Sequence, residues 1–138
     1  MSKTFNVAIA QLPGIHPQEI QQLESQGIKT NLDLLKKASN PQKKQQLAIQ
    51  MGVNLKLIGK WVALCNLACV PSVGSTYCGL LLHAGIPSVK HLSNMFAQKL
   101  HHQVMRLQVS YFKTKDLCPS IFLVESWIKE AKNIIKQK

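Results

Sequence analysis

Two stretches of this chain carry residue types that let a bare backbone hold an anion: Leu12-Pro13-Gly14-Ile15-His16 and Val70-Pro71-Ser72-Val73-Gly74. A hydrophobic-Pro-Gly-hydrophobic turn that opens onto a helix aims several N–H groups one way, at the positive end of the helix dipole. That arrangement suits a phosphate oxygen and ignores base identity. Glycine belongs there because the turn is sharp and the anion must approach the backbone closely. Each stretch keeps one glycine of two: Gly14 is followed by His16, and Ser72 by Gly74. The first also sets Glu19 in the opening helical turn, where its charge repels a phosphate, whereas the second offers Ser75, Thr76 and Tyr77. The favoured phosphate contact is therefore Val73, Gly74, Ser75 and Thr76, with Pro13, Gly14 and Ile15 as the other candidate. The competing reading makes both turns plain helix connections.

Charge supplies the second set of candidates. Seventeen Lys+Arg against six Asp+Glu leave a formal +11, a field that draws polyanions: nucleic acid or an acidic protein. Lys36, Lys37, Lys43 and Lys44 bracket Asn40-Pro41; Arg106 precedes Tyr111, Phe112, Lys113 and Lys115; Lys129, Lys132 and Lys136 form a helical stripe. Basic side chains beside rings can hold phosphates while a ring stacks on a base, although such runs also serve as solvated faces. Arg106 is the only arginine. Lysine lacks the planar fork that reads guanine edges, so a nucleic-acid partner is expected to be held by its backbone.

Cys65, Cys69, Cys78 and His83, with His101, His102 and Cys118, invite a metal reading, but their spacing matches no zinc pattern. No base and orienting group mark any cysteine as a nucleophile, and the six carboxylates form no acid–base pair. Neither a Gly-rich phosphate loop with its lysine, nor HExxH, nor G-x-S-x-G occurs. No enzymatic activity, metal, cofactor or small-molecule substrate is expected.

The elements that must position these residues come as an internal repeat. Pro13 pairs with Pro71, Leu23 with Leu81, Gly27-Ile28 with Gly85-Ile86, Thr30 with Ser88 and Leu34 with Leu92, all 58 positions apart. Leu57-Ile58 and Trp61-Val62 pair with Leu123-Val124 and Trp127-Ile128 at 66. The second copy thus gains eight residues, placed near 107–118. The repeat makes Cys78 equivalent to Ile20, Cys65 to Ala131 and Cys69 to Ile135, so the cysteines are expected to be small apolar core residues. Proline, capping and spacing signals predict helices from Pro17 to Gln26, from the Thr30 cap to Asn40, from Gln42 to Met51, and onward from Asn54. Copy two predicts Ser75–Ala84, Ser88–Phe96, Gln98–Val109 and Ser120–Lys136. No two-residue alternation marks a strand. The expected fold is all-α: one compact domain over 1–138, repeats at 9–69 and 70–138, with Trp61 and Trp127 meeting in a shared core across a pseudo-twofold. No apolar run reaches the roughly 20 residues of a membrane span, and no signal peptide precedes the first turn, so no membrane role and a cytoplasmic location are expected.

The two Pro-centred turns resemble those of the helix-hairpin-helix superfamily. Nearly the whole chain resembles a bacterial family of unknown-function domains (numbered four-three-three-two) that carries tandem hairpins. The likeness rests on the Leu12-Pro13-Gly14-Ile15 turn, on the Gly-Ile steps followed by Thr30 or Ser88, and on the Lys60-Trp61 and Ser126-Trp127 closing helices; Val70–Ile86 reads most like cyanobacterial members. The resemblance implies a fold related to DNA-binding hairpins and supplies no activity. Combined with the charge, it yields the expectation of a non-catalytic module that binds nucleic-acid backbone, DNA in particular. The alternative is an adaptor for a protein partner, an acidic one above all.

Overall fold

The computed structural model describes residues 5–107 and 119–136. Among them eight helices follow one another: α1 (Pro17–Ser25), α2 (Asn31–Lys37), α3 (Pro41–Met51), α4 (Leu55–Leu67), α5 (Gly74–His83), α6 (Val89–Ser93), α7 (Ala97–Leu107) and α8 (Ile121–Lys136). The protein is all-α, as its patterning requires. Lys113, Lys115 and the insert beyond Leu107 lie outside the described residues. No single helix among the described residues is long and apolar enough to cross a membrane.

The helix starts follow side-chain chemistry. Thr30 Oγ1 accepts from the Asp33 N–H at 3.2 Å, and the Thr30 N–H donates back to Asp33 Oδ2 at 3.1 Å, a closed capping box. Asn40, Asn54, Ser88 and Ser120 each accept a first-turn N–H. Helix α6 ends earlier than its pattern predicts. Ser93 Oγ and Asn94 Nδ2 both donate to the Lys90 carbonyl, at 2.6 and 3.2 Å, so side chains take up a carbonyl that a longer helix would use.

Periodicity gave no hint of one piece of extended backbone. Ala8 forms an isolated antiparallel bridge with Thr30, flanked by Ile9 N–H to Lys29 O (2.8 Å) and Asn31 N–H to Val7 O (3.0 Å). The fully buried Asn31 side chain completes the tie. Its Oδ1 accepts from the Val7 N–H at 2.8 Å, and its Nδ2 donates to Phe5 O at 3.1 Å and Cys65 O at 3.3 Å. One amide thus joins the N-terminal segment, the start of α2 and the end of α4, leaving little of its hydrogen-bonding capacity unused.

Both halves feed one hydrophobic core. The repeat partners Leu23 and Leu81, Ile28 and Ile86, Leu34 and Leu92, Ile58 and Val124, and Trp61 and Trp127 are all buried in it. Gly27 and Gly85 share left-handed backbone, with φ of +84° and +92°. Asn66, on α4, accepts from the Val89 N–H of the second half at 2.7 Å, which stitches the halves together.

The two tryptophans are equally buried but differ in hydrogen bonding. Trp127 Nε1–H donates to the Ser72 carbonyl at 3.0 Å, whereas Trp61 Nε1–H is buried with no partner. Burying an unpaired donor costs about 1–3 kcal/mol. Trp61→Phe therefore sheds that cost while losing packing, and is expected to destabilise by no more than about 1 kcal/mol. Trp127→Phe loses a made bond and orphans a carbonyl, and is expected to cost roughly 2–3 kcal/mol. Urea unfolding of the two variants checks this; equal losses would refute it.

Candidate functional site

The first hairpin is held from both sides. Pro13 packs against α5, where a Cβ added to Gly79 would stand 3.0 Å from the proline ring carbon, so a larger residue there would push the ring back by a few tenths of an ångström. Gly14 follows with φ +80°, a conformation that L side chains avoid, and it is exposed. From α4, the Lys60 ammonium reaches to 3.8 Å from the position a Gly14 Cβ would take. The Gly14 and Ile15 N–H groups have no hydrogen-bond acceptor among the described residues. The next N–H, of His16, donates to Glu19 Oε1 at 3.0 Å. Glu19 therefore caps α1, and its charge is tied one residue beyond the open N–H pair.

The second hairpin is built differently. The Val73 and Gly74 N–H groups both turn back to the Val70 carbonyl, at 2.9 Å each. Val73 and Gly74 are buried, Ser75 is half-buried and only Thr76 is exposed. The Phe5 ring lies 3.5 Å from where a Gly74 Cβ would be. The Ser72 N–H, equivalent to that of Gly14, donates to Glu130 Oε1 at 2.8 Å, and the Ser72 hydroxyl donates to Glu130 Oε2 at 2.5 Å. A carboxylate from α8 thus sits where the turn offers its donors. Of the sequence-based candidates Val73–Thr76, the first two N–H groups are thus engaged within the chain, those of Ser75 and Thr76 have no acceptor among the described residues, and a carboxylate already stands at the neighbouring Ser72.

The lysines separate into distinct settings. Lys36 and Lys37, in the last turn of α2, and Lys43, in the first turn of α3, line one open groove of about 370 Å³ with Gln46 and Gln50. Lys44 is half-buried beside them. Asp33 also lines this groove, with its carboxyl below the usual range because it accepts the Lys29 and Thr30 N–H bonds. Lys36 and Lys37 suit the negative end of α2; Lys43 and Lys44 stand at the positive end of α3, against the helix dipole. Arg106 is exposed in the last turn of α7, and Lys129, Lys132 and Lys136 are exposed along α8.

Cys65, Cys69 and Cys78 are buried, as the repeat predicts, and none of them is in a disulfide. Among the described residues no three His, Cys, Asp or Glu side chains group as metal ligands. Burial pushes the Cys78 thiol from its ordinary 9.0 up to about 11, and Cys65 well above that. Such thiols are poor nucleophiles near neutrality. Because the folded value is raised, stability from a neutral buried thiol is complete below about pH 9 and is lost as pH climbs through about 11. The stability difference between wild type and Cys78→Ala is expected to shrink between pH 8 and pH 10.5 in parallel urea titrations; a constant difference would contradict it.

Sequence reasoning missed Lys60 and Glu130. Lys60 occupies the place of Ser126, and Glu130 the place of the buried Leu64. A carboxylate at a register position that the sister helix fills with leucine was the available signal. No curated protein and no solved structure matches the chain. One family model does, described as Domain of unknown function (DUF4332), over residues 13–134. The chain belongs to that family of uncharacterised domains.

Proposed function

We propose that this protein is a non-catalytic, cytoplasmic module that binds nucleic-acid backbone, DNA in particular, without reading base sequence, and that the first hairpin is its anchor. In this reading the halves are tandem helix-hairpin-helix-like units related by a pseudo-twofold, and the first has no carboxylate at the position that Glu130 takes in the second. The observation that carries it is the first hairpin itself: two adjacent N–H groups without acceptors, an exposed glycine at φ +80°, and the Lys60 ammonium alongside. Backbone donors and one mobile cation are what a phosphate oxygen needs, and neither distinguishes one base from another. The groove bearing Lys36, Lys37 and Lys43 supplies further charge at the far end of α1, whose nine residues span roughly 14 Å.

Lys43 and Lys44 support the reading from energetics. Each stands where a cation costs a helix about 0.3–1 kcal/mol, and among the described residues no lysine forms an ion pair with a carboxylate. A placement that weakens the fold calls for an external anion. A second reading, docking of an acidic protein, gains from one fact: the group seen against this type of turn is a carboxylate, Glu130.

Fluorescence anisotropy with random-sequence DNA and RNA tests the proposal. Affinity is expected to be sequence-independent and to fall with salt with a log–log slope of roughly 3–4, the signature of three to five neutralised phosphates. Lys60→Glu is expected to weaken binding about tenfold. Lys43→Glu with Lys44→Glu is expected to weaken binding while stabilising the fold by about 1 kcal/mol. Absence of binding at low salt would overturn the nucleic-acid reading, and retention of poly-glutamate under the same conditions would establish the acidic-protein one.

A further inference from the structure

The second hairpin meets its oxyanion inside the chain. Ser72 gives both of its donors to the two oxygens of one carboxylate, N–H to Oε1 and Oγ–H to Oε2, and its carbonyl takes the indole N–H of Trp127, one turn before Glu130 on α8. Trp127 is fixed in turn by Tyr77 of α5, whose ring centroid lies 5.1 Å from the indole. The carboxylate is thus clamped on a rigid platform, and both its oxygens are satisfied in the geometry a phosphate or carboxylate ligand would use. The first half has Leu64 at the position of Glu130 and Lys60 at the position of Ser126, so the equivalent N–H, that of Gly14, stays open.

We propose that the second hairpin is an oxyanion site filled in cis, with Glu130 standing in for an external carboxylate or phosphate. The site rests on the preceding reading only for the identity of the natural ligand that the same turn chemistry would take. With Glu130 in place it latches α8 onto the hairpin; with Glu130 removed it becomes a second site for small oxyanions.

Thermal unfolding of the full chain decides the matter, with formate and inorganic phosphate as probes and chloride of equal ionic strength as reference. Glu130→Ala is expected to melt about 5–10 °C below wild type. Formate or phosphate at about ten times its dissociation constant is expected to return roughly 4–6 °C of that loss and to leave wild type, whose site is occupied, unmoved relative to chloride. Ser72→Ala on the Glu130→Ala background removes the hydroxyl donor and is expected to cut the recovery by at least half. Should Glu130→Ala fail to fold, Glu130→Ser leaves the same vacancy with a hydroxyl at its edge, and phosphate is expected to raise its melting temperature more than that of wild type. No anion-specific recovery in a folded variant overturns the inference. DNA binding separates it from the preceding proposal: if wild type does not bind DNA but formate rescues Glu130→Ala, the cis site stands and the nucleic-acid reading falls. If both hold, the Glu130→Ala salt slope should steepen by about 0.9.

Discussion

The clamp between Glu130 and Ser72 sets what each half of this molecule can do. A half-buried carboxylate is tolerable only when its oxygens are met by donors, and the second hairpin meets both. In exchange the hairpin is fastened to α8, the helix that carries Trp127, Ile128, Ala131 and Ile134 into the core. The closing helix, the hairpin and the indole therefore form one unit, and the turn that the sequence offers as the better anion site is committed to holding the fold.

The same comparison explains the first half. There the register position of Glu130 holds the buried Leu64, and Lys60 brings its ammonium alongside Gly14, so no carboxylate latches the turn. The orphaned Trp61 indole reflects that change, because the bond its counterpart makes to Ser72 has no equivalent. What fixes the first hairpin instead is the approach of Pro13 to Gly79 on α5, a contact between halves. Of the two Pro-centred turns, one is thus closed by its own half and one braced by the other.

Much of this fold was legible in the residues. Thr30, Asn40, Asn54, Ser88 and Ser120 start helices as capping chemistry dictates, and the repeat placed Trp61, Trp127 and the three cysteines in the core. Apart from the early end of α6, which the nearby Ser93 and Asn94 side chains bring about, the exceptions are contacts distant in sequence. The pairing of Ala8 with Thr30 depends on Asn31 being buried against α4, which no local pattern encodes. The difference between the hairpins has the same origin: Glu130, 58 residues beyond Ser72, takes both Ser72 donors, and Phe5 lies against Gly74, contacts that no local pattern encodes. Lys60 belongs to no lysine cluster in the sequence, and only the fold of α4 against the first turn brings it to Gly14.

The electrostatic balance follows from the same economy. Of the six carboxylates, Glu19, Asp33 and Glu130 are spent on backbone N–H groups: Glu19 at the start of α1, Asp33 at the start of α2, and Glu130 at the second hairpin. Anions so engaged neutralise helix ends and turns more than they neutralise lysines, although Asp33 also feels the charge of Lys36. A net charge of +11 is therefore expressed outward almost undiminished, over a fold whose internal donors are largely satisfied. The Gly14 and Ile15 N–H groups stand without an acceptor among the described residues beside the Lys60 ammonium. On the proposed reading, that meeting of backbone donors with a nearby cation is what would let the first hairpin hold an anion that the lysine-rich surface at large only attracts.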